Sequence, residues 1–148
     1  FAGAVFPAGA PLQGRYRFDS YRLTWRHDRA PAGRWELGYG FTAKLRDAAI
    51  RVAGGGQAAE KKNTGFVPLL NFRLAYRIGP AWRLLLEGDA LAAPQGRAED
   101  VQLALAHDSG GPLAWRLGYR LLEGGADAGD VYTFALLHYL FGGATLRF

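Results

Sequence analysis

Strict alternation of two kinds of side chain constrains this chain most. In residues 34–46, RWELGYGFTAKLR, every odd position is apolar or aromatic, and every even position is small, polar or charged. A period of two places the two kinds on opposite faces of a β-strand. The same alternation recurs almost from end to end, with turn residues between the segments, whereas helical periodicity is nearly absent. The sequence therefore predicts an all-β protein.

Turn chemistry divides the chain into strands joined as antiparallel hairpins. The short turns are HDRAPAG, GPA and HDSGGP, and longer, flexible loops are expected at 53–63, 93–99 and 123–130. Between Phe18 and Tyr21 the apolar phase slips, which suggests a bulge near Asp19 and Ser20. We predict seven strands and a weaker eighth, at residues 15–26, 34–46 (able to run on to 52), 65–78, 82–92, 100–107, 114–122, 131–148 and, for the eighth, 1–6.

Composition narrows the class of protein. The 148 residues suffice for one domain, and 49% of them are hydrophobic although the mean hydropathy is only −0.09. No run of about 18 uncharged apolar residues could form a transmembrane helix. No signal peptide is visible, and the absence of Met indicates a processed leader or a sequence boundary. The absence of Cys excludes disulfides, thiolate metal sites and a cysteine nucleophile.

The positive charge does not indicate a nucleic-acid partner. The net charge is +5, and all but three of the 18 basic residues are Arg. These arginines are spread singly along the predicted strands instead of forming a patch or a stripe, which is the usual footprint of nucleic-acid binding. We therefore expect no nucleic-acid partner.

The small residues decide which face of the strands points inward. Gly38, Gly40 and Gly118 alternate with charged residues, on the face opposite the aromatic side chains. Small residues gain little on a solvent face, but inside a narrow barrel they make room for long charged side chains. An eight-stranded barrel has an interior just wide enough for side chains to fill. We therefore expect Trp35 and Phe41 to face lipid and Glu36 to face the interior, in an eight-stranded antiparallel up-and-down transmembrane β-barrel.

The tryptophans support this orientation. If the strands alternate in direction and the C-terminus is periplasmic, all four Trp fall at the periplasmic ends of their strands. The same counting places the short turns on the periplasmic side and the longer loops outside, as in outer-membrane barrels. An aromatic girdle at one membrane interface is predicted from this ring, formed by Trp25, Trp35, Trp82 and Trp115 together with Tyr76.

The last ten residues, YLFGGATLRF, carry a family resemblance. They end in Phe148, with Leu146 and smaller or apolar residues at alternate positions before it. This segment resembles the C-terminal signal of bacterial outer-membrane barrels, although an aromatic residue is common in place of Leu146. As an architecture the whole chain resembles the small eight-stranded group that includes the transmembrane domain of outer membrane protein A. The resemblance implies a Gram-negative outer membrane, contact with its lipid and lipopolysaccharide, and insertion by the outer-membrane assembly machinery.

The charged residues at strand positions predicted to point inward form the candidate functional site. Buried charges need paired partners, and the bidentate guanidinium of Arg suits such pairing. We interpret the set as a salt-bridged polar plug in a structural or interaction barrel whose surface loops contact a protein partner. The alternative is a narrow passive channel for small polar or anionic solutes. The predicted network consists of Glu36, Arg73, Arg77, Arg83, Glu87, Asp89, Arg116 and Arg120.

A lipid-modifying hydrolase is the third possibility. His107-Asp108-Ser109 resembles the His-x-Ser motif of outer-membrane lipid A deacylases, with Glu123 as the candidate residue to orient the imidazole. In that family, however, the motif precedes the last strand, whereas here two strands follow it. By strand rise, Glu123 is expected roughly 25–30 Å away. Turn residues are therefore the favoured interpretation, and we expect no catalytic residues.

The remaining polar residues suggest no cofactor. His27, His107 and His138 are too scattered along the chain to suggest a metal site, so neither metal nor cofactor is expected. The segment EKKN at 60–63 is expected to be a solvated loop tip. It could instead contact the phosphates of lipopolysaccharide.

Overall fold

The computed structural model describes residues 1–93, 96–128 and 131–148, and for residues 92, 93, 96, 126–128 and 131–134 the backbone alone. The protein is all-β, and the strands form one sheet in chain order, with each strand antiparallel to the next, as in an up-and-down fold. No helix in the described ranges is long and apolar enough to cross a membrane. The strands are β1 (Gln13–Asp28), β2 (Trp35–Gly54), β3 (Gln57–Arg77), β4 (Trp82–Ala93), β5 (Gly96–Asp108), β6 (Leu113–Ala128) and β7 (Val131–Leu146).

The N-terminal residues do not provide the expected eighth strand. Residues 1–12 contain two turns, closed by hydrogen bonds from Ala4 N to Phe1 O at 3.0 Å and from Ala10 N to Pro7 O at 3.4 Å. Gly and Pro recur through this segment, and each weakens a strand by added chain freedom or by a missing N–H. The alternation in residues 1–6 was too short to outweigh them.

The prediction of long flexible loops is wrong where the structure describes them. Residues 53–63 belong to β2 and β3, which are joined by the two-residue turn Gly55–Gly56. Both glycines have positive φ, 58° and 80°, as the hairpin turn that matches strand twist requires. The glycine run thus marks one tight turn, and the ladder continues through polar residues on both sides. Most of 93–99 and 123–130 is likewise strand, while residues 94–95 and 129–130 lie outside the described residues.

The chain divides into two compact units. We call residues 1–23 and 43–67 the hairpin unit, because the β2–β3 turn lies in it. Residues 24–42 and 68–148 form the sheet unit. The hairpin unit has eight Lys and Arg residues against three Asp and Glu, and the sheet unit has ten of each. The whole net charge of +5 therefore belongs to the hairpin unit.

No bulge interrupts β1. The residue opposite a glycine in the sheet can be recognised by its short distance to a Cβ added at that glycine. At Gly118, whose cross-strand partner is Ala104, the added Cβ would lie 2.8 Å from the Ala104 Cα. By the same criterion Gly40 lies opposite Arg26 (2.8 Å) and Gly54 opposite Leu12 (3.3 Å). Between these two pairs both strands advance by fourteen residues, so neither contains an extra one. The phase slip at Phe18–Tyr21 therefore needs another explanation than the predicted bulge.

In the sheet unit the apolar face is the exposed one. Trp35 and Phe41 are 50% and 56% exposed, whereas Thr42 is 1% exposed and the Glu36 side chain 12%. We call the face that carries Trp35 the outer face and the face that carries Glu36 the inner face. Trp35 and Phe41, which were expected to face lipid, therefore lie on the exposed face, and Glu36 lies on the covered one. A small apolar cluster also lies on the inner face, formed by Ala75, Leu85, Ala104 and Ala106 with Phe141 packed against it.

In the hairpin unit the two faces exchange their chemistry. The pairing of β1 with β2 given above places Tyr21 opposite Leu45. The Gly55–Gly56 turn between β2 and β3 places Leu45 opposite Phe66. These three outer positions therefore form one row across the strands. All three are exposed, and Tyr21 and Phe66 are each 67% exposed. Beyond this row, which we call the boundary row, the outer positions are Asp19, Asp47, Thr64, Arg17, Ala49, Lys62, Arg15, Arg51 and Glu60.

Aromatic residues move to the inner face beyond the boundary row. Tyr16 and Phe18 stack there with their ring centroids 6.2 Å apart, and the Lys44 Nζ lies 5.5 Å from the Phe18 centroid. This exchange of faces explains the phase slip at Phe18–Tyr21. The strand continues without an extra residue, but the face that carries its apolar side chains changes.

Candidate functional site

Side chains on the inner face of the sheet unit meet across intervening strands. The Thr42 hydroxyl on β2 donates to Asp89 Oδ1 on β4 at 2.5 Å, although β3 lies between them. Neighbouring strands lie about 4.8 Å apart, so a flat sheet would hold β2 and β4 roughly 10 Å apart. Arg26 on β1 also reaches to 3.9 Å from Glu87 on β4. The inner face of this unit is therefore concave.

Two neutral side chains donate hydrogen bonds to the buried carboxylate of Asp89. Thr24 and Thr42 share a 2.7 Å hydrogen bond, and because Thr42 donates to Asp89, its oxygen accepts from Thr24. The Asn71 amide donates to Asp89 Oδ1 at 2.8 Å and to the Gly88 carbonyl at 3.1 Å. Charge-assisted hydrogen bonds of this kind are about twice as strong as neutral ones. They fix the Asp89 side chain on the inner face.

Glu36 forms ion pairs with three arginines from two strands. Arg77 Nε donates to it at 3.0 Å and Arg73 at 3.3 Å, both from β3. Arg83 on β4 approaches to 3.8 Å. With the Glu36 side chain only 12% exposed, these pairs are partly shielded from water and are therefore worth more than surface pairs.

Glu87 joins strands on both sides of β4. Its Oε1 accepts from Gln102 at 2.6 Å and from Arg116 at 2.9 Å. Its Oε2 lies 3.7 Å from Arg73 and 3.9 Å from Arg26. Because Arg73 also binds Glu36, the two carboxylates belong to one network that extends from β1 to β6.

A bidentate ion pair joins β5 and β6. Arg120 donates to both carboxylate oxygens of Asp100, at 2.6 and 2.7 Å. The Arg120 guanidinium also lies over Tyr139 of β7, 5.8 Å from the ring centroid, and Arg116 lies 5.7 Å from the Phe141 centroid. Such cation–π contacts tie the polar side chains to the apolar inner side of β7.

All eight residues of the predicted network lie on this inner face and take part in these contacts. Glu36 binds Arg73, Arg77 and Arg83, Glu87 binds Arg73 and Arg116, Asp89 binds Thr42 and Asn71, and Arg120 binds Asp100. The sequence analysis did not include Thr24 and Arg26. Both flank Trp25, a predicted outward residue, and this alternation was the signal that could have placed them on the inner face.

The predicted girdle residues cluster on the outer face near the short turns. Trp35 and Tyr76 rings lie 4.7 Å apart, and Trp82 and Trp115 lie 5.3 Å apart in an edge-to-face arrangement. His107 fits between the last two, 4.7 Å from Trp82 and 5.5 Å from Trp115. Trp25 instead contacts Phe41, at 5.8 Å. A shallow groove of about 290 Å³ next to these rings has an almost wholly apolar lining, formed by Trp35, Leu74, Tyr76, Leu84, Leu86 and Leu103.

Asp108 organises the end of the chain. Arg147 donates two hydrogen bonds to it, at 2.6 and 2.9 Å, and the backbone N–H of Gly110 donates a third at 3.0 Å. Arg83 also donates to it at 3.3 Å. The Arg147 hydrogen bonds hold the pKa of the Asp108 carboxyl well below its ordinary value. The contact secures the chain next to Leu146, and Phe148 at the terminus is fully exposed.

The candidate hydrolytic residues are not brought together. His107 lies among the tryptophans on the outer face, and within the described residues no hydrogen bond joins it to Ser109. Glu123 binds Arg97 near the far end of β6 and lies opposite Glu99, whereas His107 lies opposite Trp115. His138 contacts the Tyr119 hydroxyl on the outer face. The described part of the chain contains no group of three His, Cys, Asp or Glu side chains able to hold a metal ion.

Fold and site together define an all-β, up-and-down sheet protein with a buried ion-pair network on one face and exposed aromatic residues on the other. No family model matches the chain, and no curated protein or solved structure matches it.

Proposed function

We propose that this chain is an integral protein of a Gram-negative-type outer membrane, with a structural or interaction role and an inner face filled by ion pairs. One observation carries the proposal. The large apolar side chains are exposed on the outer face, while Glu36, Thr42 and Glu87 are covered on the inner face. Water would favour the opposite arrangement, whereas lipid favours this one because it solvates apolar side chains and excludes charges.

The length of the apolar face fits a bilayer. Along β2 the outer residues from Trp35 to Leu45 span eleven residues, and along β3 those from Phe66 to Tyr76 span eleven as well. A membrane-crossing strand tilted by about 45° needs about 9–11 residues. The aromatic residues at one end of this stretch suit a membrane interface, and the charged outer positions beyond the boundary row suit water.

Strand parity supports an eight-stranded closure. In an up-and-down sheet of seven strands, β1 and β7 run in the same direction. Each unpaired backbone group in lipid costs several kcal/mol, so a membrane sheet must close. One further strand, antiparallel to both β1 and β7, would close it. We include this eighth strand in the proposal. We also propose that the outer-membrane assembly machinery recognises the C-terminal strand through Phe148.

The inner network favours a plug over a channel. Glu36 and Glu87 collect arginines from several strands, and their side chains occupy the width that a solute would need. Lipid, lipopolysaccharide and a protein partner at the hairpin tips are the proposed contacts. No cofactor is part of the proposal.

Detergent refolding followed by planar-bilayer recording tests the function. We expect a β-rich circular dichroism spectrum, heat-modifiable gel migration and no conductance. Steady conductance that changes in Glu87→Ala would make the inner face a solute pathway and overturn the structural role. A protein that stays soluble and monomeric without detergent would overturn the membrane assignment itself.

A further inference from the structure

The first part of β3 has a neighbouring strand on only one of its two edges. The described pairing of β3 with β4 ends at Leu70 opposite Ala90. In the same register the last residue of β4, Ala93, would lie opposite Val67. Residues 57–66 therefore extend beyond β4, and within the described chain a strand pairs with them only on the β2 side. We call the other side of this segment the open edge.

Strand parity shows which backbone groups the open edge presents. The Arg77 N–H donates to the carbonyl of Arg34, on the β2 side of β3. Backbone groups along an antiparallel strand alternate between its two edges, so the odd-numbered residues of β3 bond to β2 and the even-numbered ones direct their N–H and C=O to the open edge. The even-numbered residues of the open segment, all of them exposed, are Ala58, Glu60, Lys62, Thr64 and Phe66.

Pro68 fits this arrangement, because it lies close to the point where the β3–β4 ladder ends. Its position is even, so the N–H that proline lacks would have pointed away from β2. Proteins often protect an open edge by making the strand short or by covering it. Here the open edge is about 33 Å long by strand rise. Such an edge is a template for the addition of a further strand.

The charge of the hairpin unit limits the kind of strand that fits. The unit carries a charge of +5, and Lys62 lies on the open edge itself. A second copy of the chain would bring the same positive charge to the contact, and like charges on neighbouring strands are destabilising. Glu60 pairs with Lys62 at 3.5 Å, but both side chains are exposed and such pairs are weak. An acidic strand therefore gains electrostatically where a second copy loses.

We propose that residues 57–66 bind an extended acidic segment of another protein, which adds to the sheet as a further strand beside β3. Backbone hydrogen bonds to the even-numbered residues hold the segment, and its carboxylates are selected by Lys62 and by the charge of the hairpin unit. The electrostatic attraction weakens with salt. This inference rests on the proposed function, which gives the chain an interaction role, and it names the edge and the chemistry of the partner.

Amide hydrogen exchange of the detergent-refolded full chain, followed residue by residue by NMR, would test the open edge. The probe is a ten-residue peptide of alternating Thr and Glu. Without peptide we expect the even-numbered amides of residues 57–66 to exchange fast and the odd-numbered ones to be protected by β2. With saturating peptide the exchange of the even-numbered amides should slow by about tenfold or more, because they gain hydrogen bonds, and the odd-numbered amides should change little.

A proline on the open edge provides the matching variant. Thr64→Pro removes one N–H from the open edge and leaves the bonds to β2 in place, because position 64 is even. We expect the affinity for the acidic peptide to fall about tenfold. Thr64→Ala is the matched control, since it loses the same side-chain hydrogen bond to Asp47, at 3.2 Å, but keeps the N–H. It should bind the peptide like the unmodified chain.

A peptide of alternating Thr and Lys tests the chemistry of the partner. It should bind about tenfold more weakly than the acidic peptide, and the difference should shrink with added salt. Equal affinity of the two peptides would overturn the acidic partner. Protection of the even-numbered amides that grows with protein concentration, without any peptide, would identify a second copy as the occupant and overturn the proposal as well.

The remaining outcomes separate this inference from the proposed function. If the peptide protected no amides, or odd- and even-numbered amides alike, the open edge would not be the binding site, and the membrane function would still stand. The exchange pattern of the unmodified chain decides this even if Thr64→Pro fails to fold. If the unmodified chain showed no heat-modifiable, detergent-inserted form, the proposed function would fail, and the interaction role with it.

Discussion

The hairpin unit and the sheet unit both alternate apolar and polar side chains along their strands, but they place the aromatic residues on opposite faces. In the sheet unit large exposed apolar side chains such as Trp35 and Phe41 lie on the outer face, and the ion-pair network lies on the inner face. This unit has ten cationic and ten anionic residues. Beyond the boundary row of the hairpin unit most outer positions are charged, Tyr16 and Phe18 lie on the inner face, and the unit carries a charge of +5. Periodicity therefore specifies a strand, whereas the surroundings decide which face carries the apolar side chains.

Substitution of an apolar residue by a charged one on the outer face of the sheet unit is expected to have the largest effect, and it tests whether the outer faces of the two units really differ in environment. Leu117 is 61% exposed on β6. If the outer face contacts lipid, Leu117→Arg should destabilise the refolded protein by about 2–4 kcal/mol. Urea titration in lipid vesicles, followed by gel migration, measures the change. Val5, an exposed apolar residue outside the strands, is the control, and Val5→Arg should stay within about 0.5 kcal/mol. Similar small effects at both positions would mean that the outer face of the sheet unit is solvated.

Removal of one inner carboxylate tests the ion-pair network. Glu87→Gln keeps the shape of the side chain but deprives Arg73 and Arg116 of their charge partner. We expect a loss of about 2–3 kcal/mol, because the cations stay partly covered. Glu60→Gln in the hairpin unit removes an exposed carboxylate and should cost less than about 1 kcal/mol. The same urea titration compares them, and equal costs would contradict the shielded character of the inner face.

The aromatic cluster predicts a smaller effect. Trp82 and Trp115 form an edge-to-face pair at 5.3 Å. A double-mutant cycle with Trp82→Phe and Trp115→Phe should give a coupling free energy of about 0.5–1.5 kcal/mol. The cycle is measured by denaturant unfolding in vesicles. Strict additivity of the two substitutions would show that the pair is adjacent without stabilising the sheet.

Acid should produce the smallest change, at the short turns. Because Arg147 lowers the pKa of Asp108, the folded state favours the carboxylate. The stabilisation is complete above the unfolded-state pKa, about 3.9, and is lost as the pH falls towards the lower folded-state value. Asp108→Asn should therefore flatten the stability profile below about pH 4 and leave its slope near neutrality unchanged. Thermal midpoints between pH 2 and 7 measure this, and an unchanged acid limb would show that the contact does not stabilise the fold.

Alternation predicted much of the fold, because it is a local property of the sequence. It located the seven strands and the exposed aromatic face, starting from segments such as residues 34–46. It did not predict how far the hairpins extend. The glycine-rich sequence around Gly55–Gly56 looks like part of a long loop, and only the pairing of the two strands shows that it is a tight turn. The prediction of a bulge near Asp19 was wrong for a similar reason. A local phase change can reflect either an extra residue or a new environment, and only the pairing of Leu12 with Gly54 distinguishes them.

The site was predicted as a set of residues and not as a set of pairs. Parity alone placed Glu36, Glu87 and the arginines on one face. Which arginine binds which carboxylate depends on strand stagger and on curvature, and these bring Thr42 of β2 to Asp89 of β4 across β3. Such contacts join residues far apart in the chain, 47 positions in that case, and local sequence does not encode them. The pairing of Asp108 with Arg147 has the same origin.

The two-residue turn at Gly55–Gly56 also bears on how insertions would be tolerated. The pairing that begins with Gly54 opposite Gln57 persists to the far end, where Arg77 N donates to Arg34 O at 2.8 Å. Each strand face repeats every two residues, so one residue added within β2, away from the turn, would swap the faces of everything on one side of it. Residues added at the turn itself would lengthen the tip and leave both faces intact. The tip is therefore the place where this hairpin can acquire new recognition sequences without loss of its register.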